Sequence, residues 1–95
     1  MSTYLITKVM VTDWDRYKEY VKLTPATIER FGGKFVLRGG QRITFEGPET
    51  TERIILIEFS SLERAKERYH SKEYGEAKKK REGAATAFLI AIEGV

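Results

Sequence analysis

The chain has 95 residues, 41% of them hydrophobic and 33% charged, a composition for one small globular domain and against a disordered segment. It contains no cysteine, which excludes disulfides and thiolate chemistry and is compatible with a reducing compartment. The net charge of +3 is too small to argue for a nucleic-acid partner.

Met1-Ser2-Thr3-Tyr4-Leu5 lacks a basic region followed by an apolar stretch, so no signal peptide is visible. No apolar run approaches the length of a membrane span, and a cytoplasmic protein without a membrane partner is expected. Residues 4–11 are apolar and β-branched and read as a first strand, ended by Thr12-Asp13 as a helix cap. From Trp14 the period becomes helical: Trp14, Tyr17, Val21 and Ile28 share a stripe, with Tyr20 and Phe31 beside it. Pro25 removes a backbone donor, so a kink or restart is predicted there, with Thr24 capping the second segment. Gly32-Gly33 closes this helix.

Lys34–Arg38 reads as a second strand, Gly39-Gly40 as a tight turn or bulge, and Arg42–Glu46 as a strand continuing or pairing with it. A loop at residues 47–50 leads to Arg53–Phe59, the clearest strand of the chain. Ser60 with Glu63 forms a capping box for a helix whose stripe is Leu62, Ala65 and Tyr69. His70-Ser71 marks a break, and Ser71 caps a further segment with Tyr74, Ala77, Arg81 and Ala84 on one stripe. Thr86–Glu93 is the closing strand. Lys78-Lys79-Lys80-Arg81, flanked by Glu76 and Glu82, reads as a solvated helix face. The absence of asparagine and the single glutamine, Gln41, lean towards a thermophilic source.

The order is β-α-β(β)-β-α-β, which predicts an α+β, ferredoxin-like antiparallel sheet with two kinked helices on one face. Side chains alternate along a strand, so each strand has two faces to account for. Leu5, Val9 and Val11 oppose Tyr4, Ile6 and Met10; Ile55, Ile57 and Phe59 oppose Ile54 and Leu56; Ala87, Leu89 and Ala91 oppose Phe88, Ile90 and Ile92. Both sides are apolar, and two helices cover only one. A homodimer through the other sheet face resolves the mismatch, with a standard interface burying roughly 800 Å² per partner.

Pro25-Ala26, Gly32-Gly33, Arg38-Gly39-Gly40, Glu58-Phe59, Tyr69-His70-Ser71-Lys72-Glu73-Tyr74, Arg81 and Glu93-Gly94 recur in order and spacing that resemble the domain-of-unknown-function family 1330, a group of small bacterial proteins. The resemblance covers essentially the whole chain and implies a dimeric α/β barrel in which two ferredoxin-like chains pack sheet against sheet. It implies no reaction. At His70 the family more often has a small polar or acidic residue, so a function of His70 would belong to this protein alone.

Arg81 falls on the stripe that packs onto the sheet, where a guanidinium must find a carboxylate, a carbonyl or a bound anion. It is either an anion clamp or half of an ion pair with Glu58 or Glu46, the commoner arrangement. Arg38 and Gly39 form a second candidate: the glycines permit a bend that aims Arg38 at a ligand, or else a bulge leaves Arg38 in solvent. Tyr69, Ser71 and Tyr74 cluster at the helix break, where hydroxyls can orient a carbonyl or carboxylate; as core tyrosines and a cap they would need no ligand. Glu46 and Glu58 are placed on the pocket side as a possible carboxylate pair. His70 is expected on the surface at the helix joint.

No cysteine, no HxxxH or HExxH and one histidine leave metal and triad chemistry without support, and no cofactor is expected. The reading that follows is a small pocket for an anionic or carbonyl-bearing ligand, in a protein that acts as a cofactor-independent enzyme or as a non-catalytic sensing or interaction module. RNA binding through the sheet is disfavoured by the missing aromatic signature.

Overall fold

The alternating apolar segments pair into one antiparallel sheet, and the helical stripes close over one of its faces. The computed structural model describes residues 2–95. Its elements are β1 (Thr3–Val11), α1 (Trp14–Arg30), β2 (Lys34–Arg38), β3 (Arg53–Phe59), α2 (Leu62–His70), α3 (Lys72–Arg81) and β4 (Ala85–Glu93). The sheet order is β2-β3-β1-β4 with every neighbouring pair antiparallel, the ferredoxin-like arrangement.

The expected division of faces is present. Leu5, Ile55, Ile57 and Phe59 pack with Ile28 and Ala65, and Val9 packs with Tyr17, Tyr20, Tyr74, Ala77 and Ala84, all beneath the helices. On the far side Phe88, Ile90 and Ile92 of β4 are 54%, 40% and 48% exposed, in line with Ile6 and Met10 of β1 and Leu56 of β3. The chain by itself leaves that apolar face open.

Three local expectations are corrected. Helix α1 runs through Pro25 without a restart. Pro25 cannot donate to the carbonyl of Val21, but the Thr24 hydroxyl donates to it at 3.2 Å, and Thr27 donates to the Thr24 carbonyl at 2.8 Å. Thr24 is therefore the substitute donor inside one helix and not the cap of a second. The second predicted helix does break, at Ser71, into α2 and α3; the cap of α2 is Ser61, whose hydroxyl accepts from the Arg64 amide at 3.1 Å, and not Ser60. Finally, Arg42–Glu46 forms no strand: residues 39–52 are irregular and mostly exposed, Phe45 at 90%. Gly39 and Gly40, at φ +75° and +102°, turn the chain off the line of β2, and alternation without a ladder partner does not sustain a strand.

Of the tight turn or bulge expected at Gly39-Gly40, the chain makes the turn there, and the bulge of this strand lies earlier. The β2–β3 register steps from Phe35↔Ile57 to Leu37↔Leu56, so Val36 is the extra residue. In an unbroken strand Arg38 would share a face with Lys34. The step instead sets Arg38 opposite Ile55, on the helix-covered side.

Gly32 and Gly33 position the start of β2. Gly32 takes φ +76°, and a Cβ on Gly33 would stand 2.7 Å from a Phe59 ring carbon, so α1 and β3 approach this closely only over a bare backbone. Among the described residues, no helix is long and apolar enough to cross a membrane.

Candidate functional site

Four tyrosines run in succession beneath the helices. Tyr17 and Tyr20 come from α1 and Tyr69 and Tyr74 from around the α2–α3 break, with neighbouring ring centroids 5.4–6.1 Å apart along Tyr17, Tyr20, Tyr74, Tyr69. The Tyr20 and Tyr74 hydroxyls are hydrogen-bonded at 2.8 Å. Burial and the adjacent Tyr74 push the Tyr20 phenol well above its ordinary value, so it stays protonated and neutral at physiological pH.

Two arginines sit on this aromatic layer. The Arg68 guanidinium lies 3.9 Å from the Tyr74 ring centroid, and Arg81 lies 5.4 Å from that of Tyr20. Arg68 is only 2% exposed; its Nε donates to the Thr27 hydroxyl at 3.2 Å. The Nε of Arg81 is buried and has no hydrogen-bond partner among the described residues. Burial draws the Arg81 pKa down, but the Tyr74 and Tyr20 phenols beside it more than offset this and hold the charge firmly in place.

A cleft of about 790 Å³ opens between α2, α3 and the edge strand β4. Leu5, Leu89 and Ala91 lie on its sheet side, and Tyr69, His70, Lys78 and Arg81 come from the helices. The Lys78 ammonium donates to the Tyr69 hydroxyl at 2.7 Å. The lining thus combines apolar surface with three cations, Lys66, Lys78 and Arg81, a phenol and one carboxylate, Glu63. This net positive set suits an apolar ligand carrying an oxygen anion or a polarised carbonyl.

A second, smaller chamber lies between α1 and the sheet, with Arg38, Arg53, Arg68, Tyr17 and Tyr20 among its lining residues. Leu89 borders both spaces.

The candidates read from sequence are accordingly divided. Arg81 and Tyr69 meet in the cleft, and His70, exposed at the end of α2, joins them there. Tyr74 is buried behind them, and Arg38 belongs to the chamber. The Gly39 amide donates to the Ile54 carbonyl at 3.3 Å, so it offers no free donor. Ser71 caps α3 by accepting from the Tyr74 amide at 3.1 Å while donating to the Arg68 carbonyl at 2.7 Å, which occupies the hydroxyl.

Glu46 and Glu58 line neither the cleft nor the chamber. Glu46 is on the exposed stretch after β2, and Glu58 points to the open sheet face, where Lys34 reaches it at 3.5 Å. Strand alternation explains the latter: Ile57 and Phe59 take the covered side, so Glu58 cannot. Arg81 therefore pairs with neither.

Arg53 and Arg68 escaped the sequence reading, although a signal existed. Arg53 is in phase with Ile55 and Ile57, and Arg68 follows Ala65 by three residues on the buried arc of α2. Among the described residues, no group of three or more His, Cys, Asp or Glu side chains could hold a metal ion.

Solved structures share this architecture across almost the whole chain. A protein of unknown function from Rhodopseudomonas palustris is 24% identical, with a TM-score of 0.80 over 99% of this chain and 82% of that one. A dimeric ferredoxin-like protein of unknown function from Jannaschia sp. CCS1 is 12% identical, with a TM-score of 0.77 over 99% and 100%. SnoaB, a cofactor-independent oxygenase from Streptomyces nogalater, is 10% identical, with a TM-score of 0.71 over 99% and 93%. At these identities the likeness is one of fold. No curated protein matches the chain. The family model for the Domain of unknown function (DUF1330) matches residues 2–95, and the chain belongs to that family.

Proposed function

We propose that this protein binds a small molecule with an apolar body and an anionic or carbonyl oxygen in the α2–α3–β4 cleft, with Arg81 receiving the oxygen. The observation that carries this reading is Arg81, a cation with no carboxylate partner among the described residues, on the lining of a cleft of about 790 Å³. A ligand oxygen anion would supply the missing counter-charge. Tyr69 and Lys78 supply the remaining polar contacts.

The same reading extends to chemistry without a cofactor. A guanidinium beside an enolisable carbonyl stabilises the oxyanion that forms as the α-proton leaves, and the His70 imidazole on the same cleft is the group to take that proton. The shared fold with a cofactor-independent oxygenase supports this version over a purely sensing role.

The functional unit in this proposal is a homodimer, one cytoplasmic domain per chain, joined through the open sheet face. Phe88, Ile90 and Ile92 form a continuous apolar row there, and a structural neighbour of the same fold is described as dimeric.

A thermal-shift screen of aromatic and aliphatic carboxylates and β-dicarbonyl compounds tests the reading. Ligands are expected to stabilise the wild type in a concentration-dependent manner and to lose most of that effect in Arg81→Ala. Equal stabilisation of both proteins would remove Arg81 from the site. Consumption of a stabilising ligand in air, with His70→Ala as the control, separates catalysis from binding.

A further inference from the structure

We infer that the chamber between α1 and the sheet is a seat for a carboxylate-sized planar anion, held by Arg38, Arg53 and Arg68. This site is separate from the cleft and does not depend on it. Its three guanidiniums come from β2, β3 and α2, far apart in sequence, and converge on one small space whose lining contains no carboxylate.

Five of the chain's acids are committed elsewhere. The ion pairs among the described residues join Glu19 to Lys22, Glu73 to Arg30, Glu58 to Lys34, Glu67 to Arg64 and Glu76 to Lys79, and none reaches the chamber. The Tyr20 phenol, held neutral by burial and by Tyr74, supplies no counter-charge. Arg68 is therefore a nearly fully buried cation compensated only by neutral groups, the Thr27 and Tyr20 hydroxyls and the face of the Tyr74 ring. Aromatic faces offset only part of the cost of burying a charge, and a hydrogen-bonded anion offsets far more. Burial draws the Arg68 pKa below the ordinary arginine value, against the pull of Tyr74 and Tyr20, which registers the same imbalance.

Arg53 supplies a second, independent sign. Its Nε is buried and has no hydrogen-bond partner among the described residues. Arg38 reaches this side only because the Val36 bulge moves it there, and it lies 4.6 Å from the Phe35 ring centroid at the chamber's exposed end. Planar guanidinium forks match carboxylate oxygens two at a time.

The chamber is small, with about 30 Å³ of free volume, and the planar guanidinium forks select a carboxylate among the small anions.

The test is a titration of the full chain with sodium formate against sodium chloride at matched ionic strength, read from the side-chain Nε–H resonances of ¹⁵N-labelled arginine. Formate is expected to shift the Arg53 and Arg68 signals saturably while chloride does not, and Arg53→Gln is expected to weaken formate binding by ~tenfold or more. Both arginine signals remaining in place, identical shifts with chloride, or wild-type affinity in Arg53→Gln would each overturn the proposal. Because the wild type itself reports, the result does not depend on whether an Arg68 variant folds. Benzoate run in parallel identifies the source of the anion. A response at Arg53 to both acids assigns the seat to the carboxylate end of a larger ligand, and a response to formate alone assigns it to a free small anion.

Discussion

The hydroxyl of Tyr20 on α1 meets that of Tyr74 on α3 at 2.8 Å, and this single bond ties together the two helices that carry most of the aromatic layer. One phenol donates and the other accepts, so each satisfies a group that burial has removed from water. Each ring also carries a cation, Arg68 on Tyr74 and Arg81 on Tyr20.

Removing both members should cost less than the two single removals added together. Tyr74→Phe takes from the buried Tyr20 hydroxyl its phenol partner, for a loss of about 1–3 kcal/mol in unfolding free energy. Adding Tyr20→Phe to it should cost less than the sum of the two single changes, a coupling measurable by urea denaturation in a double-mutant cycle. Strict additivity would show that the 2.8 Å contact contributes nothing.

Alkaline pH provides a second check. The Tyr20 pKa in the folded chain is raised above its ordinary 10.0 by burial and by Tyr74, and Tyr17 is raised by burial against the pull of Arg53 and Arg81. A raised folded-state pKa favours the protonated native form, so this contribution is fully present below pH 10, where the unfolded chain is also protonated. Above pH 10 the unfolded tyrosines release protons first, and stability falls as the pH rises towards the folded values. Unfolding free energy measured from pH 8 to 11 should fall less steeply in Tyr20→Phe than in the wild type. Parallel slopes would contradict the assignment.

The open sheet face predicts the assembly. Ile90→Lys places a charge in the middle of the Phe88, Ile90, Ile92 row without touching the covered side, where Leu89 and Ala91 pack. Sedimentation should show a dimer for the wild type and a monomer for the variant, with the far-ultraviolet circular dichroism unchanged. A wild type that sediments as a monomer at micromolar concentration would remove the sheet-to-sheet dimer.

Much of the fold was legible because it is written in local periods. The two-residue period of β1, β3 and β4 identified their covered and open faces, and the helical period placed Tyr74, Ala77 and Ala84 on the buried side. Where the reading failed, the missing information was long-range. Arg42–Glu46 alternates like a strand, yet no neighbouring edge pairs with it. Pro25 looked like a break, yet Thr24 supplies the donor that keeps the helix whole.

The candidate site shows the same division. Sequence alone determined that Arg81 and Tyr69 lie on helix stripes near the sheet, that the chain has no thiol, and that its strands are apolar on both sides. Only the tertiary structure decided which charges meet. The Val36 bulge moves Arg38 to the covered face, Glu58 is carried to the opposite one, and Arg53 and Arg68 come within the same chamber from opposite layers of the fold. Periodicity states which side of an element a residue occupies. What stands across from it, and hence whether a buried guanidinium has a counter-charge, is set by the packing of elements distant in the chain.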